Sequence, residues 1–419
     1  MGFFDSLFLR KPPPDRFAAH FIAVARRQGF EGRLEFNADE FRLEHGRNAF
    51  FNLHNAYRAY CETRGAQRDK ALQSFVATLC SSGQATPALL SEAGPMLRPL
   101  IRSRSLIDEI RLHHMRTEGD ASSFQAACLP FGDDCVILLA VDYPETTSTL
   151  LNGPSASWQL TLDEALRIAA DNLRDHTAEA FVQVAQGVYQ GAWSDGYEAS
   201  RALLPDVLQR VPVRGRPVFM VPTREVLLVT GDQDETGQLH MVELSLQASR
   251  QGRTISPAMF RYVPGDAWHA AHAVPSGPDV SHFVPAGAQA ARHLAHLKRL
   301  YQKEEYDTQK DAIDRLNERA GAGVFLASYL LYGQQDDPVA SFSVATWTCG
   351  VDTSLPRTDR IALVQPDADD APGKTRVVAW QQALALLGDL VEEEALYPVR
   401  YRVRTFPDES RLALLDEVG

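Results

Sequence analysis

Two short stretches of this 419-residue chain place charged side chains where a polar ligand could meet them. Tyr197-Glu-Ala-Ser-Arg201 reads as the opening of a helix, which puts Arg201 near the helix start. A cation there opposes the helix dipole unless it has a partner. Pro222-Thr-Arg-Glu225 breaks an apolar strand, and that break would set Arg224 and Glu225 at a sheet edge or in a cleft. Asn172 lies inside a helical stretch although asparagine is a poor helix former, so its amide is expected to bond across to another element. Arg201, Arg224, Glu225 and Asn172 are therefore the candidate ligand-binding residues. An arginine–carboxylate pair that simply holds the fold is the plainer reading of the same residues.

Other motifs fail on context. Asp232-Gln-Asp-Glu-Thr-Gly-Gln-Leu-His-Met-Val-Glu243 matches a calcium loop, with acids at positions 1 and 3, Gly at 6 and Glu at 12. Such a loop needs a helix on each side, but Val226-Leu-Leu-Val-Thr before it has a strand pattern, so an acidic hairpin turn is expected. Asp367-Ala-Asp-Asp reads as a similar turn. Gly321-Ala-Gly follows a helix rather than a strand, which suits a helix end better than a dinucleotide site. His293 and His296, and His269 and His272, could each share a metal, but no carboxylate or thiolate is spaced to complete either set. No Walker loop, nucleophile elbow or HExxH helix is present. No metal and no cofactor is expected.

The five cysteines (Cys61, Cys80, Cys128, Cys135 and Cys349) form no CxxC pair and are expected to be reduced, buried thiols in a cytoplasm. The net charge of −12 repels phosphate backbones, so nucleic acid is not an expected partner. No 18 apolar residues run together, so no membrane span is expected either. The first residues are too short and too interrupted for a signal peptide. Gly2 and Ser6 formally fit a myristoylation pattern, but a small docking helix carrying Phe3, Phe4, Leu7 and Phe8 is preferred.

These residues must be held by more than one core, since single cores stop growing near roughly 250–300 residues. The periodicity predicts an α+β chain with mixed and antiparallel sheets packed with helices, in two to three domains. A mostly helical region with a hairpin spans 1–118, and a central α+β domain spans 119–273. A Pro/Gly/Ser-rich linker covers 274–287, and a long charged helix followed by a C-terminal α+β domain covers 288–419. Within this frame, helices are expected at 15–28, 52–80 (one or two), 86–114 (with a proline-containing interruption), 161–173, 198–209, 288–319 and 381–394. Strands are expected near 136–141, 218–221, 226–230, 324–331, 341–347, 361–364 and 376–379, with a hairpin over 32–43. Thr161 and Glu164 form a capping box for their helix. Pro130, Pro222 and Pro356 each precede an acid by three residues (Asp133, Glu225, Asp359) and then an apolar strand, which raises a repeated strand–turn–helix unit.

Four stretches in order resemble the YtpQ-like family of bacterial proteins of unknown function: Leu162 to Leu173, Tyr197 to Arg201, Val221 to Val229, and Ser256 to Tyr262. The resemblance covers residues 10–275 and implies a soluble cytoplasmic α+β protein, with no catalytic residue to transfer. The expected function is binding of a protein or small molecule without a recognisable catalytic motif. The alternative is a hydrolase or transferase with a polar site around Arg201, Arg224 and Glu225.

Overall fold

The computed structural model describes residues 12–418, apart from 39–40, 46–48, 64, 82–85, 120–121, 145, 179, 251, 264–277, 321–322, 335–336 and 367–372. The expected docking helix at Phe3 to Phe8, the Gly2–Ser6 pattern, His269 and His272, the Asp367 turn and part of the 274–287 linker lie outside the described residues. The chain is α+β, and its packing divides it into two compact units. One comprises residues 1–98, 140–150 and 155–160; the other comprises 99–139, 151–154 and 161–419.

The first unit opens with α1 (Pro14–Arg27), which buries Phe17, Phe21 and Val24 at helical spacing. Strands β1 (Leu34–Asn37), β2 (Arg42–His45) and β3 (Ala49–Asn52) follow as an antiparallel meander, with Leu43 opposite both Phe36 and Phe51. Helices α2 (His54–Glu62), α3 (Ala66–Ser81) and the short α4 (Leu90–Ala93) complete this part. Phe17, Phe21, Leu43, Leu53, Leu72 and Val76 form its core. Each such side chain stabilises the fold by about 1.5–3 kcal/mol relative to exposure.

The stretch 86–114, expected to be helical with a proline-containing interruption, holds the helices α4 and α5 (Arg104–Glu118), and the interruption between them is a strand, β4 (Leu97–Ser103). Leu97 to Ile101 is buried without interruption. Leu97-Arg-Pro-Leu-Ile101 shows no alternation, since Arg98 is buried along with its apolar neighbours, so its type is not decided by its sequence.

Strands β5 (Leu129–Phe131), β6 (Cys135–Tyr143) and β7 (Thr146–Thr149) pair antiparallel in chain order. Helix α6 (Leu162–Asp175) carries the expected capping box: Glu164 N–H donates to Thr161 Oγ1 and Thr161 N–H donates to Glu164 Oε2. Then come β8 (Phe181–Ala185), β9 (Val188–Gly191), α7 (Pro205–Leu208), β10 (Pro217–Thr223), β11 (Val226–Gly231), α8 (Glu235–Ser249), β12 (Met259–Tyr262) and β13 (Val280–His282). The expected helix over 198–209 is only a 3-10 turn, Ala199–Leu203, followed by α7. The six strands form one antiparallel sheet in the order β13-β12-β10-β11-β9-β8. Helix α8 packs on this sheet, and the 33-residue α9 (Ala288–Ala320) packs on α8 and α5. Val218, Met220, Leu228, Met241, Leu297 and Tyr301 lie at the centre of this packing.

The C-terminal segment contributes β14 (Phe325–Leu326), β15 (Leu330–Gln334), β16 (Asp337–Thr348), β17 (Thr353–Pro356), β18 (Arg360–Gln365), β19 (Lys374–Ala379), α10 (Trp380–Leu387), β20 (Val391–Glu394), β21 (Arg400–Val403) and α11 (Glu409–Leu412). They build two mixed sheets, β15-β16-β18-β19 and β14-β17-β21-β20, around Trp347, Leu355, Ile361, Val378, Trp380 and Val403. The helix expected to reach Glu394 ends at Leu387. Val391 to Glu394 is instead a strand, because Glu392 and Glu394 face Arg402 and Arg400 across β21. The acidic run satisfies a cross-strand charge pattern that looks helical when read alone.

The repeated unit does not hold. Pro130 and Pro222 lie in strands that pair antiparallel with the strand that follows them. Pro356 lies in β17, whose sheet does not contain β18. Of β6, β11 and β18, only β11 leads directly into a helix. The hairpin turn expected at Asp232 to Glu243 is also corrected. Asp234 caps α8 by accepting from Gly237 N–H at 3.0 Å, and Asp232 Oδ1 accepts from Arg216 N–H at 2.8 Å.

Candidate functional site

The second unit contains a pocket of about 230 Å³ whose walls come from five stretches distant in sequence. The end of β4 supplies Arg102 and Ser103. Helix α5 presents Ser105, Asp108, Glu109 and Leu112, spaced to share one face. The β10–β11 turn supplies Arg224, the segment after α8 supplies Arg253 and Thr254, and Tyr397 comes from the β20–β21 connection. Helix α9 presents Glu304, Glu305, Thr308 and Gln309, again one face.

Backbone pairing fixes the arginines. Arg224 N–H donates to the Arg253 carbonyl at 3.3 Å, the Arg224 carbonyl accepts from Ala199 N–H at 3.2 Å, and Thr223 bridges Thr254. Gly252 makes this approach possible: a Cβ there would come within 3.0 Å of Glu225 Oε2 and 3.1 Å of the Thr223 Cβ. The Arg102 guanidinium donates to the carbonyl of its neighbour Ile101 at 2.7 Å. Among the described residues, no carboxylate oxygen lies within 4.0 Å of the Arg102, Arg224 or Arg253 guanidinium.

The electrostatics match this crowding. Burial, and then the charges of Arg102 and Arg253, push the Arg224 guanidinium down to about 9. Burial and Arg253 push Arg102 down to about 10, with Glu225 opposing. Both stay charged at neutral pH. The direction of the shift means that positive charge is held where the protein alone does little to compensate it.

The α9 side is acidic. Burial raises the Glu305 carboxyl to about 7, with Asp134 and Glu304 adding to the rise against hydrogen bonds from Ser105 and Ser103. Ser103 Oγ donates to Glu305 Oε1 at 3.2 Å. Burial also raises Glu304 and Glu109, and Arg253 opposes both. No cation lies within 4.0 Å of these three carboxylates among the described residues. Asp108 differs: Arg111 grips it at 2.5 and 2.8 Å, and it accepts from Tyr397 N–H at 3.2 Å. Gln309 is 4% exposed; its Nε2 donates to the Pro398 carbonyl at 2.8 Å, and its Oε1 is buried without a partner.

The four residues singled out from the sequence separate. Arg224 lines the pocket. Glu225 is exposed beside Gly252 and acts on Arg102 and Arg224 through its charge. Arg201 does not line the pocket. It is fully buried, forked onto Asp195 at 2.8 and 2.6 Å, bonded to Thr177 Oγ1 at 3.0 Å and laid over the Trp193 ring at 4.4 Å. Asn172 is half-buried on α6, away from the pocket lining. The paired histidines also part: His293 faces Glu243 at 3.7 Å and His296 bonds Ser341 at 2.8 Å.

Arg102, Arg253, Glu304, Glu305 and Tyr397 were not singled out from the sequence. Arg102 and Ser103 could have been marked as polar residues ending an apolar run. Glu304 and Glu305 sit in a helix too rich in charge to stand out. No family model, curated protein or solved structure matches this chain.

Proposed function

We propose that this is a binding protein whose pocket takes a small molecule through an anionic group, a carboxylate or a phosphate. The supporting observation is the convergence of Arg102, Arg224 and Arg253 on one concave surface without an ion-pair partner. Arg201, by contrast, is forked onto Asp195, and the buried Arg400 is taken up by Ser354 and the Ala327 carbonyl. Planar forks left unpaired in a cavity are matched to carboxylate and phosphate oxygens. The volume lies below the roughly 300 Å³ at which drug-sized sites begin, so the ligand is small. Kinship with the YtpQ-like proteins, and a cytoplasmic setting, belong to the same proposal on the sequence motifs alone. The hydrolase or transferase reading drew on Arg201, Arg224 and Glu225 together, and of these Arg201 is engaged by Asp195 outside the pocket lining.

A thermal-shift series with inorganic phosphate and short carboxylates tests this reading. A bound anion at about 100 times its Kd stabilises the native state by about 2.7 kcal/mol. The melting temperature should rise by several degrees in the wild type and stay flat in Arg224→Ala. Equal rises in both proteins would place the anion elsewhere.

A further inference from the structure

The same pocket holds two sets of opposite charge that make no ion-pair contact with each other. Arg102, Arg224 and Arg253 have no carboxylate within 4.0 Å, and Glu109, Glu304 and Glu305 have no cation within 4.0 Å, among the described residues. The side chains that pair elsewhere in this unit do so closely: Arg299 with Asp359 at 2.7 Å, Arg402 with Asp352 at 2.6 Å. Arg102, Arg224 and Glu305 are half-buried, while Arg253, Glu109 and Glu304 are exposed at the rim; the half-buried charges keep part of their desolvation cost without the Coulomb gain of contact. A ligand with both signs, placed between them, supplies both missing partners.

A second observation points to the cationic end. Gln309 lines the pocket from the glutamate-bearing helix, nine-tenths buried or more, and its Oε1 is an acceptor without a donor. An unsatisfied buried acceptor costs about 1–3 kcal/mol. An ammonium group has three donors and no acceptor, which suits two carboxylates and an amide oxygen on one helix face. The volume of about 230 Å³ corresponds to roughly eight water-sized groups, enough for a short chain with a charge at each end.

We infer that the pocket takes a small dipolar ligand, with its anionic group among Arg102, Arg224 and Arg253 and its ammonium group held by Glu304, Glu305 and Gln309. This rests on the anion-binding reading and narrows it. A ligand lacking the amine meets only the arginines. A ligand lacking the anion meets only the glutamates and is repelled by the guanidiniums. Specificity for the dipole is thus built from unpaired charge on both sides.

Calorimetric titration of two matched pairs tests the inference: phosphoethanolamine against ethyl phosphate, and 4-aminobutyrate against butyrate. At least one amine-bearing member should bind tenfold or more tightly than its mate. That advantage should fall below threefold in Glu304→Gln, a change at an exposed position, and in Glu305→Gln. The amine-free affinity should hold in both variants. Amine-bearing and amine-free members binding equally, with both lost in Arg224→Ala, would overturn the dipolar ligand and leave the anion site standing. Silence from all four compounds would overturn both.

Discussion

Glu305 shows how much a single residue depends on its surroundings. Its carboxyl is raised from 4.5 to about 7, first by burial, and Asp134 and Glu304 face it with like charge. The folded protein therefore keeps a proton that the unfolded chain loses above about 4.5. That contribution to stability is complete below 4.5 and is lost as pH rises through about 7. Glu304 and Glu109 are raised in the same direction, so part of the slope belongs to them. Between pH 5.5 and 8 the Glu305 share amounts to about 1–2 kcal/mol after allowing for partial solvent contact. Urea unfolding should show Glu305→Gln losing less stability over that interval than the wild type, by about 1 kcal/mol or more. An unchanged slope would place the titration on another group. The contrast between Arg201 and Arg224 is also set at this scale. In the sequence, Arg201 read as a cation near a helix start and Arg224, beside Glu225, as part of a break in a strand. The partner that makes Arg201 structural, Asp195, is six residues upstream and could have been found. What draws Arg224 into a pocket is Arg253 and Arg102, and the latter is on another strand far away in the chain.

Elements were legible where a period or a cap marked them. Helix α1 carries a clear apolar stripe, and α6 carries its capping box, and both fall where expected. Strand β4 has no alternation because all of Leu97 to Ile101 is buried, and that strand delivers Arg102. The acids of Asp232 to Glu235 have the spacing of a calcium loop and also of a helix start, and here they start α8. Asp234→Ala should cost about 1 kcal/mol by removing the N-cap, since Gly237 N–H then loses its acceptor. Denaturant midpoints measure this, and a neutral substitution would mean that the cap is redundant. The long helix was expected as a charged connector. It packs against α5 and α8, and its Glu304–Gln309 face forms one side of the pocket.

For the molecule as a whole, the net charge of −12 repels a free anion at long range, so affinity must come from local geometry. Three guanidiniums gathered in a half-enclosed pocket are such a local exception. No described helix is long and apolar enough to cross a membrane. The α+β class followed from the mix of periods along the chain. The pocket did not, because its residues come from five segments and meet only in the fold. Anomalous diffraction from crystals soaked in selenate or tungstate would locate a bound anion directly. A peak bounded by the side chains of Arg102, Arg224 and Arg253, absent in Arg224→Ala crystals, is the expected result. Peaks confined to other surface cations, with this pocket empty at the same soak concentration, would contradict the anion site.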